Sequence, residues 1–186
     1  MLEFQAASYG PRVAALLAAA GDRLPPLVIG PCVSEPARQA LVRMSPEELF
    51  AGRQIAREDF AAATRSGLFL YLSCFDEAHQ IAQDIASATG SYWHGLLHRQ
   101  EPDYSNARYW FHRVGEHAIF PDLCEAAASV RSSLPWDPVW FIDACEQASR
   151  GKDAETTRRL EELQRVEWQL LFDYSYRQAV GIVGID

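Results

Sequence analysis

The chain has 186 residues, of which 48% are apolar and 23% charged, with a net charge of −8. That length suits one domain with a full core of its own, and that composition excludes a disordered chain, a collagen-like chain and a membrane bundle. The acidic balance repels polyanions, so nucleic acid is not an expected partner.

The punctuation predicts an all-α fold, a single-domain multi-helix bundle spanning 1–186. Val13 to Ala20 is apolar and alanine-rich, but the residues before it carry Glu3 and only one cation, Arg12. It is therefore expected to be a short buried helix rather than a secretion leader. Pro11 suits its first turn, and Gly21-Asp22 ends it. Ser34-Glu35-Pro36 reads as a cap and first turn of a helix to about Arg43. Ser45-Pro46-Glu47-Glu48 has the capping-box spacing, closed by Gly52. Ile55 to Ala63 is helical, and Ser66-Gly67 is read as an interruption. The apolar run Leu68 to Phe75 is read as helix, with a buried strand as the alternative.

Asp76 is placed as the cap of a helix from Glu77 to about Ser87, closed by Gly90. Residues 91–100 and 104–114 form a helix pair around Glu101-Pro102-Asp103, and Gly115 ends the second member. Pro121-Asp122 opens a helix to about Val130, and Asp137-Pro138 opens another that ends at Gly151. Asp153 caps a last long helix to about Arg177, with an apolar stripe of Leu160, Leu163, Val166, Leu170, Leu171 and Tyr174. The apolar tail from Gly181 to Asp186 is expected to pack back on the body. No run reaches the length of a membrane span, and no low-complexity segment or long linker appears, so neither a membrane nor a second domain is expected, and the protein is read as cytoplasmic. Nothing in the sequence fixes an oligomeric state.

Cys32, Cys74, Cys124 and Cys145 form no C-x-x-C pair. They are expected to be reduced and buried rather than catalytic or zinc-binding. Arginine supplies every basic residue except Lys152, which matches a high alanine content and is read as composition bias.

Chemistry concentrates between residues 92 and 117. Four of the five histidines lie there, namely His94, His98, His112 and His117, where an even scatter would put about one. Tyr92, Trp93, Tyr104, Tyr109, Trp110 and Phe111 surround them, with Arg99, Arg108 and Arg113. Two sites are open on this pattern. In the first, His94 and His98 share a helix face, and Asp76 and His79 share another. Asp76, Glu77, His79, His94 and His98 would then hold a divalent metal between two helices. In the second, His98, Arg99 and Arg113 with Tyr104 and Tyr109 hold a carboxylate or phosphate on an aromatic floor, without metal. The same residues also fit plain structure, with histidines bonded to helix ends and local ion pairs from Arg99 to Glu101 or Asp103 and from Arg113 to Glu116.

Residues 91–119 resemble one tetratricopeptide repeat, with Gly95, Ala107 and Phe111 at its small, small and aromatic packing positions. No second copy follows, so the resemblance implies only a shared way of packing a helical hairpin. The segment is also similar to a family of uncharacterised bacterial proteins. Ser91-Tyr92-Trp93-His94-Gly95, His98-Arg99, Asp103-Tyr104, Asn106 to Phe111 and Arg113-Val114-Gly115 carry that likeness, with Trp136-Asp137-Pro138 and Leu171 to Tyr174 beyond it. It implies that the polar hairpin is a family feature and brings no activity with it.

Three function classes follow. The leading one is binding or turnover of a small polar or anionic molecule at the hairpin. The second is a metal-dependent hydrolase or oxidoreductase using His79, His94 and His98. The third is a non-catalytic helical interaction module.

Overall fold

A computed structural model describes residues 4–128 and 135–182. Among these, a 3-10 turn at Ala6–Tyr9 precedes ten α-helices, and no strand occurs. The helices are α1 Pro11–Ala19, α2 Glu35–Arg43, α3 Pro46–Leu49, α4 Glu58–Tyr71, α5 Phe75–Ala82, α6 Ala88–Gln100, α7 Tyr104–Val114, α8 Phe120–Ala127, α9 Pro138–Arg150 and α10 Ala154–Ala179. None of the described helices is long and apolar enough to cross a membrane.

Helix starts follow the short polar side chains that accept otherwise orphaned backbone N–H groups. Ser45 and Glu48 form the reciprocal capping box at α3. Ser34, Asp137 and Asp153 cap α2, α9 and α10 as expected. Asp103 caps α7 by accepting from the Asn106 N–H at 3.1 Å. The predicted end of α8 at Val130 lies outside the described residues, as do positions 183–186 of the tail. Gly181 and Ile182 are exposed.

Three readings of punctuation are corrected. Ser66-Gly67 does not interrupt α4, which runs through both residues. Ser66 donates to the Ala78 carbonyl at 2.9 Å, and the Gly67 carbonyl accepts from Trp168 Nε1 at 3.0 Å. A Cβ on Gly67 would meet the Trp93 ring at 2.7 Å, so this glycine admits an indole rather than ending a helix. Gly90 does not close α5 either. It lies in the first turn of α6, which Ser87 caps, where a Cβ would sit 2.2 Å from the Ile85 carbonyl oxygen. Asp76 is not a cap, because α5 already begins at Phe75 and Cys74 occupies the cap position without a side-chain bond. The run from 68 to 75 is helical at both ends, with a turn at Leu72–Cys74.

The long helix α10 is the spine, and α4, α8 and α9 pack on it. Trp168, Leu171, Phe172 and Tyr176 line its buried side. Tyr9 sets its edge against the Phe172 and Tyr176 rings and donates to Asp173 at 2.9 Å. Helix α6 is the most deeply sunk element, buried at every residue from Thr89 to Gln100. It is inserted between α4 and α5 on one side and α7 on the other.

Close approach of α6 and α7 depends on Gly95, because a Cβ there would stand 2.8 Å from the buried Phe111 ring. Alanine normally stabilises a helix interior by about 1 kcal/mol over glycine. Here the overlap outweighs that gain, so Gly95→Ala is expected to destabilise the fold by about 1–3 kcal/mol. Urea unfolding checks this, and a stabilised variant would mean that the helices part freely.

Candidate metal centre

The site is assembled from three helices. His94 and His98, one turn apart on α6, point to the same side, and α5 brings His79 against them. One nitrogen from each ring lies within 4.8 Å of the others. His79 Nε2 and His94 Nε2 are hydrogen-bonded at 2.9 Å. The His79 ring stands nearly perpendicular to both partners, with centroids 4.5 and 5.1 Å away. His94 and His98 stack at 4.8 Å.

Each ring is held from behind. Trp110 of α7 stacks on His94 at 4.0 Å, and Phe75 stacks on His79 at 5.4 Å. The Glu101 carboxylate lies 3.0 Å from His98 Nδ1. A neutral ring bonded in this way carries its proton on Nδ1 and leaves a lone pair on Nε2, which accepts from the Asn106 amide at 3.1 Å. This is the carboxylate–imidazole arrangement that fixes tautomer and orientation in metal-ligating histidines. His94 Nδ1 is buried without a hydrogen-bond partner. Leaving a lone pair unpaired there costs less than burying an unpaired N–H. That places the His94 proton on Nε2, donated to His79.

Burial favours the neutral form of His94 and His98. Desolvation, followed by the neighbouring His79 and His98, pulls His94 down to about 4. Burial also lowers His98, against the opposing pull of Glu101. Neutral imidazole is the form that ligates metal. His79 is half-buried while His94 and His98 are buried, so the cluster meets solvent on the α5 side.

The two carboxylates expected in this site do not join it. Asp76 is exposed in the first turn of α5, and Glu77 is drawn into an ion pair with Arg38 of α2. Of Asp76, Glu77, His79, His94 and His98, only the three histidines converge.

The five residues expected to make an anion pocket are not brought together. Arg99 follows His98 by one position, which turns it about 100° around the helix toward α10. It is fully buried there, with its guanidinium paired to the Glu167 carboxylate. It also donates to Gln164 at 3.2 Å and lies 4.3 Å over the Phe141 ring. Neither Glu101 nor Asp103 is its partner. Tyr104 is buried and bonded to Ser149 of α9 at 2.8 Å. Tyr109 is 55% exposed, and Arg113 lies outside over the Tyr109 and Trp110 rings. These directions leave His98 alone at the histidine cluster.

The remaining hairpin histidines are separate from the site. His117 is buried against Tyr92 and Tyr174 and bonded to Thr89 at 3.1 Å, and His112 is exposed. The sequence reading does not assign Asn106, Trp110 or Glu101 to the site. Asn106 and Trp110 carry a signal, being four apart on α7 opposite two histidines four apart on α6.

No family model, curated protein or solved structure matches the chain.

Proposed function

We propose that this protein binds one divalent transition-metal ion through His79, His94 and His98, and presents it to a small polar or anionic molecule. The convergence of three imidazole nitrogens within 4.8 Å carries this reading. Imidazole donors suit zinc, copper, iron and nickel more than magnesium or calcium. Three protein ligands leave a coordination position for another molecule, as catalytic sites do, where a structural zinc site closes with four. An ion held by neutral ligands keeps its double charge and polarises an oxygen placed on it. That chemistry suits a metal-dependent hydrolase or oxidoreductase in a cytoplasmic protein. The likeness to the bacterial family extends the proposal to chains that share the hairpin.

Isothermal titration of chelator-treated protein with zinc tests this. One site per chain is expected, with affinity reduced at least tenfold in His94→Ala and in His98→Ala. Glu101→Gln retains the ligands but weakens the hold on His98 Nδ1, so a loss of about 10–100-fold is expected. Asp76→Asn leaves binding unchanged. Equal zinc affinity in wild type and His94→Ala sinks the proposal.

A further inference from the structure

A second chemical pair lies outside the histidine site. The sulfurs of Cys32 and Cys74 are 2.9 Å apart, within an ångström of the length of a disulfide bond, about 2.0 Å. Both are thiols in this structure. Cys74 is buried at the turn between α4 and α5, and Cys32 is half-buried in the loop between α1 and α2.

The fold presses these two segments together through other contacts. Val33 N donates to the Leu72 carbonyl at 2.9 Å, and before Cys32 the loop is pinned separately to the end of α6, where Ile29 N donates to the Gln100 carbonyl at 2.8 Å. The Arg23 guanidinium donates to the Tyr71 carbonyl at 2.9 Å and to Ser73 Oγ at 3.0 Å. The loop is thus anchored on both sides of Cys32, once at the very next residue. Ser73, at φ +57°, turns the chain sharply enough to set Cys74 against it. The thiols are held in register before any bond forms.

We propose that Cys32 and Cys74 are a redox-active dithiol, a modification site that closes to a disulfide by exchange with a small-molecule disulfide such as oxidised glutathione. Half-buried Cys32 is the entry point. Cys32 gives up its proton to solvent, and its thiolate attacks one sulfur of the small disulfide, whose S–S bond breaks. The first small thiolate departs and is protonated, leaving a mixed disulfide on Cys32. Cys74 then gives up its proton to solvent, and its sulfur attacks Cys32 Sγ. The second small thiolate is expelled and is protonated in turn. Two electrons pass from the protein dithiol to the small disulfide, and two small thiols leave. Burial, with Cys32 beside it, pushes the Cys74 thiol up, which makes Cys74 the resolving partner rather than the first attacker. The bridge would tie the α1–α2 loop to the start of α5, the helix that carries His79. It needs no metal, so its failure leaves the histidine reading standing.

The test is equilibration of the full native chain in glutathione buffers from reducing to oxidising, followed by acid quench, alkylation and peptide mapping by mass spectrometry. A linked Cys32–Cys74 peptide is expected at oxidising ratios, with Cys124 and Cys145 alkylated and dithiothreitol reversing the link. The oxidised chain should melt several degrees higher than the reduced one, because the bridge closes a long loop. Cys32→Ser retains a conservative side chain at a half-buried position and should show neither the link nor the shift. Four alkylated thiols at the most oxidising ratio would overturn the proposal. So would a lasting glutathione adduct on Cys32, a link between other cysteines, or a link that forms only in urea.

Discussion

Glu167→Ala is expected to lower folding stability by about 3–5 kcal/mol, the cost of leaving a buried charge without its partner. Arg99 and Glu167 both have no exposed surface. Burial alone favours the neutral guanidinium, and the Glu167 carboxylate outweighs that and keeps Arg99 charged. Tyr92 adds a hydrogen bond to the same carboxylate at 3.0 Å. Gln164 bridges the pair to the Pro25 and Pro26 carbonyls, at 3.2 and 2.9 Å. Removing the carboxylate therefore strands a cation and a phenol together. Glu167→Gln keeps the shape but not the charge, and should fall between wild type and Glu167→Ala. The double replacement Arg99→Met, Glu167→Leu should recover part of the loss, since an apolar pair of similar volume holds no charge out of water, although Tyr92 and Gln164 still lose a partner. Urea unfolding of the three variants decides this. A loss below about 1 kcal/mol in Glu167→Ala would mean that water reaches Arg99.

This ion pair marks where sequence reading stops. The apolar stripe read along α10 includes Val166, which is half-buried, and passes over Glu167, which is buried. Glu167 stands four residues from Leu163 and seven from Leu160, which puts its carboxylate on the core side of the helix. A charge in that position needs a partner, and Arg99 is the cation one position round from the His98 face. Choosing between solvent and α10 for Arg99 requires the angle between helices, which no local pattern contains. The helix starts are legible because Ser34, Ser45, Asp137 and Asp153 act on N–H groups within three residues of themselves. Gly67 and Gly90 mislead for the opposite reason. Their missing side chains make room for Trp93 of another helix and for the turn at Ile85, and a space for a neighbour looks in sequence like a break. The histidines are legible as a group because i, i+4 spacing guarantees a shared face. That His79 reaches them while Asp76 and Glu77 do not follows from how α5 is rotated against α6 and from the pull of Arg38 on Glu77.

Acid is expected to weaken this protein as pH falls below about 6.5, and buried His117 is one reason. Burial pulls His117 down to about 4 in the folded chain. In the unfolded chain it returns to about 6.5. Above that value neither state holds the proton, and the neutral ring contributes its full share of stability. As pH falls from about 6.5 toward about 4, the unfolded chain takes up the proton while the folded chain refuses it, so stability drops with pH. One such group gives a slope approaching about 1.4 kcal/mol per pH unit within that window. His94 is depressed to about 4 as well, and adds a similar slope in chelator-treated protein. The measurable result is a fall of about 2 kcal/mol per pH unit between pH 6 and 5, read from urea unfolding at each pH. His117→Gln removes one of these titrations and should reduce the slope by about 1 kcal/mol per pH unit, even if its stability at pH 7 is lower. The variant's slope, not its absolute stability, is the readout, because a lost contact with Thr89 shifts the whole curve without tilting it. Flat wild-type stability from pH 7 to 5 would show that the His117 ring is reached by water and protonated in the folded chain.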